Sequence, residues 1–149
     1  MEIIFKVKQI KRLFHGGGNC YVHSKILEEK ARLAKEQNPN SIFIAHPECS
    51  QQVLKYADEV CSTEKMVEIA KANNGKHIIL ATEEGMINRL ERENSNNKYS
   101  TIGGMCFNMK KTTLQKVYDA LKKNQYEVNI PEEISVKAKI ALDKMIAIG

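Results

Sequence analysis

Cys20-Tyr21-Val22-His23 sets a thiol and an imidazole three residues apart, shortly after the run Gly16-Gly17-Gly18. By spacing this is half of a zinc site, and no neighbouring Cys or His pair completes four ligands. A cysteine that follows glycines is unlike a core position, so Cys20 reads either as a ligand or as a small structural side chain. A lone histidine such as His23 is ordinarily structural. His46 and Glu48 flank Pro47, whose fixed φ can present both side chains rigidly. Such a pair suits acid–base work, the carboxylate orienting the imidazole or acting as base; a polar surface turn is the alternative. Ser62 and Thr63 precede Met66, Ile69 and Ala70, which read as one face of a helix. They are natural N-caps, and the same geometry binds a carboxylate or phosphate on free N–H groups. Cys106 lies in Gly103-Gly104-Met105-Cys106-Phe107-Asn108-Met109-Lys110, a glycine-led loop ahead of a helical pattern. There a cluster can approach closely and backbone N–H groups can support a thiolate. Met105 and Met109 read as packing residues.

Positioning these groups requires a scaffold, and the apolar pattern alternates between strand-like and helix-like. Ser41–Ala45 and Lys76–Ala81 read as strands, the first ending at His46-Pro47, and Tyr126–Ile130 is a third, weaker run bounded by Pro131. A helix is predicted over Lys25–Glu36, with Leu27, Ala31 and Ala34 on one side. Leu114, Val117, Tyr118 and Leu121 follow helical spacing, as do Ile134, Ala138, Ala141, Leu142 and Met145. Pro131 and Glu132-Glu133 suit the first turn of that last helix. Strand–loop–helix repetition predicts α/β layers on a largely parallel sheet. Ligands gather at the carboxyl ends of such strands, so the clusters at 46–49, 61–63 and 82–85 fall at equivalent, chemically useful places.

The 149 residues suffice for one domain or two small ones, and 42% hydrophobic with 28% charged is ordinary for a globular protein. The net charge of +5 is spread over helices that also carry Glu, with few aromatics, so nucleic-acid binding is not expected. No apolar run approaches the ~20 residues that span a bilayer. The basic start, MEIIFKVKQIKRLF, lacks a signal-peptide core, and a cytoplasmic location is expected. Cys20, Cys49, Cys61 and Cys106 are widely spaced with no CxxC pair, and in that compartment they stay reduced.

Taken in order, these segments resemble the quinolinate synthase family. The succession is Cys20-x-Val22-His23, His46-Pro47-Glu48-Cys49, Ala57-Asp58 followed by Ser62-Thr63, Thr82-Glu83-x-Gly85, then Cys106-x-x-Met109-Lys110 and Thr113-Leu114. Each piece is short, and their shared order and spacing carry the resemblance from about Gly18 to the C-terminus. The resemblance implies condensation of iminoaspartate with dihydroxyacetone phosphate to quinolinate in NAD biosynthesis, with a [4Fe–4S] cluster held by three cysteines and one iron open as Lewis acid. Cys20 and Cys106 match the second and third of those cysteines. Cys49 lies in a motif that need not contain cysteine, and is not expected to be a ligand. His46 and Glu48 would be catalytic and face substrate, Ser62 and Thr63 would bind a substrate carboxylate or phosphate, and His23 would support the site.

The resemblance further implies about two of the family's three similar α/β domains. Residues 1–17 stay unassigned, 18–149 form the C-terminal part, and the N-terminal domain with the first cysteine is missing. Alone, such a chain is expected to be inactive. L-aspartate oxidase or a complementing N-terminal chain is the expected macromolecular partner. Cys61 stands where the family usually has glycine before Ser-Thr. Two other readings are a non-catalytic remnant or interaction domain, and a small zinc-binding module using Cys20, His23, Cys49 and Cys106.

Overall fold

A computed structural model describes residues 20–147, and in it the two strongest apolar runs become neighbouring strands. Among the described residues the strands are β1 (Ile42–Ala45), β2 (Glu59–Val60), β3 (His77–Ala81) and β4 (Lys98–Thr101). All pair in parallel, in the order β2-β1-β3-β4. The α/β class and the parallel sheet are therefore as the sequence predicts. The described residues fall into two compact units, 20–110 and 111–147, and the sheet belongs to the first.

Side-chain alternation divides β1 and β3 between two cores. Phe43, Ala45, Ile79 and Ala81 cluster with Ile26, Ala31, Cys49 and Val53. These come from the segment before α2 (Glu28–Gln37), from α2 itself, and from the loop and short α3 (Gln51–Leu54) that follow β1. Ile44, Ile78 and Leu80 cluster instead with Met66, Val67 and Ala70 of α4 (Thr63–Ala72) and Met86 and Leu90 of α5 (Met86–Glu93). Two strands buried on both faces read as continuous apolar runs, which made them visible in the sequence. The edge strands were not visible: β2 has two residues, both exposed, and β4 is the polar stretch Lys-Tyr-Ser-Thr.

Ends of elements are tied by polar side chains. Ser62 caps α4 by accepting from the Lys65 N–H at 3.4 Å. Asn94 and Asn97 both donate to the Ala70 carbonyl near the other end, and Asn97 also accepts the Lys76 N–H. The polar stretch between α5 and β4 thus closes the far end of α4. The helix predicted over Lys25–Glu36 starts later, as α2, and a separate short helix, α1 (Tyr21–Ser24), precedes it. Leu27 takes an extended conformation as the N-cap of α2 and is exposed, while Ile26 enters the core.

The first unit ends with the short α6 (Phe107–Lys110), and the second holds α7 (Leu114–Lys123) and α8 (Glu132–Ile146). Thr113 caps α7 by accepting from the Lys116 N–H, and Asn124 closes it in the left-handed conformation, φ 49°. Pro131 precedes α8 as its N-cap, and Glu132 and Glu133 occupy the first turn. Tyr126–Ile130 forms no strand, correcting the weakest of the three strand expectations. Tyr126 has φ 66°, and the segment is exposed with no neighbouring strand to pair with among the described residues.

Candidate active site

The register brings three polar clusters to one edge. Ala45 is paired with Val60 on one side and Ala81 on the other, so His46, Cys61 and Thr82 all begin just past the same row of the sheet. The His46 N–H reaches the Ala81 carbonyl at 3.1 Å, and the Cys61 N–H reaches the Ala45 carbonyl at 3.1 Å. Since β1 has β2 on one side and β3 on the other, the chain order reverses between β1 and β3. That switch point is the crevice where parallel sheets bind ligands.

His23, on α1, is buried at this crevice. Its Nδ1 lies 2.8 Å from Glu48 Oε2, and its Nε2 lies 3.0 Å from the Thr82 hydroxyl. A carboxylate only accepts, so Nδ1 carries the proton and Nε2 accepts from Thr82. The His46 ring stacks on that of His23, with centroids 4.2 Å apart and planes 8° from parallel. His46 Nδ1 accepts the Glu48 N–H at 3.3 Å and lies 3.6 Å from Glu48 Oε2. In the neutral ring the His46 proton therefore sits on Nε2. Burial, together with the neighbouring His23, holds His46 below the usual imidazole pKa against the opposing pull of Glu48. Donor atoms of Cys20, His23 and Glu48 all lie within 4.8 Å of one another, a group able to hold a metal ion.

Cys106 immediately precedes α6 (Phe107–Lys110). Its thiol is held below the usual range by the Tyr21 hydroxyl and by the N–H groups of Met109 and Asn108. The Tyr21 hydroxyl also accepts the Phe107 N–H at 2.7 Å. Glu83 accepts the Cys106 N–H at 3.1 Å on one oxygen and the Gly85 N–H at 2.7 Å on the other, with Lys110 Nζ 3.3 Å away. Burial acts to raise the Glu83 pKa, but these donors outweigh it and leave the carboxyl below its usual range.

Cys20, His23, His46 and Glu48 thus meet in one cluster, and Tyr21, the residue after Cys20, links the start of α1 to Cys106. Ser62 and Thr63 stand at the adjacent strand end, exposed at the start of α4, and the Ser62 hydroxyl serves as a cap. Cys49 is buried in the core with its thiol donating to the Ala81 carbonyl, and burial pushes its pKa up to about 11. It stands outside the metal-capable group, so the four-donor zinc set of Cys20, His23, Cys49 and Cys106 is replaced by Cys20, His23 and Glu48. Burial, then Glu59, raises the Cys61 thiol. Three contributors have no individual role in the sequence reading: Tyr21, and Thr82 and Glu83, which enter it only within the 82–85 cluster. The strand-end position of Thr82-Glu83 was their signal, whereas nothing local to Tyr21 marks it.

The fold and site together define an α/β protein whose sheet carries a His–Glu–His cluster and a metal-capable donor group at its carboxyl edge. Residues 4–147 match the family described as quinolinate synthetase A protein, and the chain belongs to that family. The match starts well ahead of Gly18, where the motif resemblance begins. The chain is 36% identical over 93% of its length to a quinolinate synthase of Alkaliphilus metalliredigens, covering 46% of that protein. It is 40% identical over 89% of its length to one from Caldicellulosiruptor bescii, covering 44%. For one from Geobacter metallireducens the figures are 37%, 97% and 48%. The chain spans about half the length of the curated relatives it matches. No helix among the described residues is long and apolar enough to cross a membrane.

Proposed function

We propose that this chain supplies the C-terminal part of a cytoplasmic quinolinate synthase, which condenses iminoaspartate with dihydroxyacetone phosphate. The observation that carries the reading is the His23–Glu48–His46 cluster at the sheet's switch point, in a chain of this family. Cys20 and Cys106 are the residues of this chain that would hold a [4Fe–4S] cluster. Their donor chemistry fits: Cys106 has a thiol of lowered pKa with N–H groups directed at its sulfur, and Cys20 belongs to a group of converging donors. When bound, such a cluster offers a Lewis-acidic iron to a substrate oxygen. The third thiolate comes from a complementing N-terminal chain or domain.

The protein's own groups then have distinct tasks. His46 holds its proton at Nε2, the nitrogen not engaged by Glu48, and can donate a hydrogen bond from it to a substrate oxygen that gains negative charge. Glu48 orients both imidazoles, accepting from His23 Nδ1 with one oxygen and fixing His46 Nδ1 with its backbone N–H. Free N–H groups at the start of α4, with Thr63, receive a substrate carboxylate or phosphate, favoured by the positive end of the helix. Replacing Thr63 by Val lowers dicarboxylate affinity by roughly 1–3 kcal/mol if a charge-assisted bond is lost.

The test pairs this chain with the unmatched half of a relative, loads the pair anaerobically with iron and sulfide, and records visible absorbance and acid-labile sulfide. Cys20→Ser and Cys106→Ser should abolish the cluster band, and Cys49→Ser and Cys61→Ser should retain it. Retention in the first two contradicts the assignment. A second reading, favoured by the grouping of Cys20, His23 and Glu48, is a small zinc site. Stoichiometric zinc without a visible band would select it.

A further inference from the structure

A cluster ligand on a glycine-led loop would be expected to gain its conformation when the cofactor binds. The N–H groups around α6 argue otherwise. The Cys106 N–H goes to Glu83, the Phe107 N–H goes to Tyr21, and those of Asn108 and Met109 face the Cys106 sulfur. The Lys110 N–H reaches the Cys106 carbonyl at 3.1 Å. The donors that an isolated helix start leaves open thus have partners, and two partners are side chains from elsewhere in the unit. The loop is also pressed against β3: a Cβ on Gly103 would lie 1.6 Å from the Thr82 carbonyl oxygen. The Gly104 carbonyl accepts the Glu84 N–H at 3.2 Å.

We infer that Tyr21 and Glu83 are positioning residues that set the Cys106 backbone in its ligating pose before any cofactor arrives. The Tyr21 hydroxyl accepts the N–H of the residue after Cys106 at 2.7 Å, so a side chain from the start of the unit fixes the backbone of this segment. Glu83 uses both oxygens, one on the Cys106 N–H and one on the Gly85 N–H, joining the loop to the start of α5. Lys110 closes the arrangement from within α6. Because Tyr21 adjoins Cys20, the same hydroxyl links the segments carrying the two candidate ligands. The purpose of this arrangement rests on reading Cys106 as a ligand; its geometry does not.

The test uses the full chain without iron, following amide hydrogen exchange at Gly85, Cys106 and Phe107, with Ile79 in β3 as reference. Tyr21→Phe keeps the ring and removes the hydroxyl, and should speed exchange at Phe107 about tenfold or more while leaving Ile79 unchanged. Glu83→Gln retains one acceptor oxygen where two are needed, and should release either Cys106 or Gly85 by a similar factor. Wild-type amides exchanging as in an unstructured peptide would overturn the inference, as would variants without effect or with an equal rise at Ile79. Iron and sulfide uptake is then measured with the complementing half. Local exchange responding as expected with no uptake in wild type would remove the cluster reading and leave the positioning intact.

Discussion

Thr82 looks like an ordinary strand-end threonine until its hydroxyl is followed to His23. Both side chains are buried, and the Thr82 O–H is the partner of Nε2. Thr82→Val preserves shape and removes that donor, so urea denaturation should report a loss of about 1–3 kcal/mol. Unchanged stability would mean that water replaces the hydroxyl. His46 lends itself to a pH experiment. Its folded pKa is lowered by burial and by His23, with Glu48 opposing, so the unfolded chain takes up the proton more readily. Its stabilising contribution is present above the ordinary imidazole pKa of about 6.5 and is lost as pH falls below it. His46→Gln should flatten part of the decline in urea midpoint between about pH 7.5 and 5. His77, also lowered by burial and then by Lys98, retains the rest. Parallel curves for wild type and variant would contradict this. At this scale, the sequence marks the residues that the structure gathers in different ways: Cys20 and His23 by spacing, with His23 read as ordinarily structural, His46 and Glu48 by flanking Pro47, and Cys106 by its glycine-led loop. Their bonds were not legible, because the Thr82–His23 contact joins residues far apart in the chain and depends on how α1 meets β3.

Among the elements, β1 and β3 were readable because burial on both faces leaves only apolar residues in them. β2 and β4 were hidden, since an edge strand is defined by its neighbour's hydrogen bonds and carries no pattern of its own. Tyr126–Ile130 shows the converse, apolar residues in alternation without a partner strand among the described residues. The glycines before Cys106 divide in the same way. Gly103 meets the Thr82 carbonyl, whereas a Cβ on Gly104 meets nothing within 4 Å. Gly103→Ala should therefore destabilise the sheet unit by about 1–3 kcal/mol through displaced backbone, and Gly104→Ala should change it little. Thermal melts of the two variants compare them directly. Equal effects would show that the loop yields to a methyl group at Gly103.

For the whole molecule, a chain spanning about half the length of its relatives carries a His–Glu–His cluster, and the proposed function assigns it two cluster cysteines. On the proposed reading, the 149-residue chain alone makes no quinolinate, because two thiolates do not complete a three-cysteine ligand set. The central claim is that His46 and Glu48 of this chain act on the substrates of quinolinate synthase. The direct measurement is quinolinate formation from iminoaspartate and dihydroxyacetone phosphate by the chain assembled anaerobically with the unmatched half of a relative, with iron and sulfide. Turnover by the assembled pair is predicted, with none from either half alone and a decrease of about 10²–10⁴-fold in His46→Gln at full cluster content. Undiminished turnover by His46→Gln, or robust turnover by this chain alone, would contradict the account.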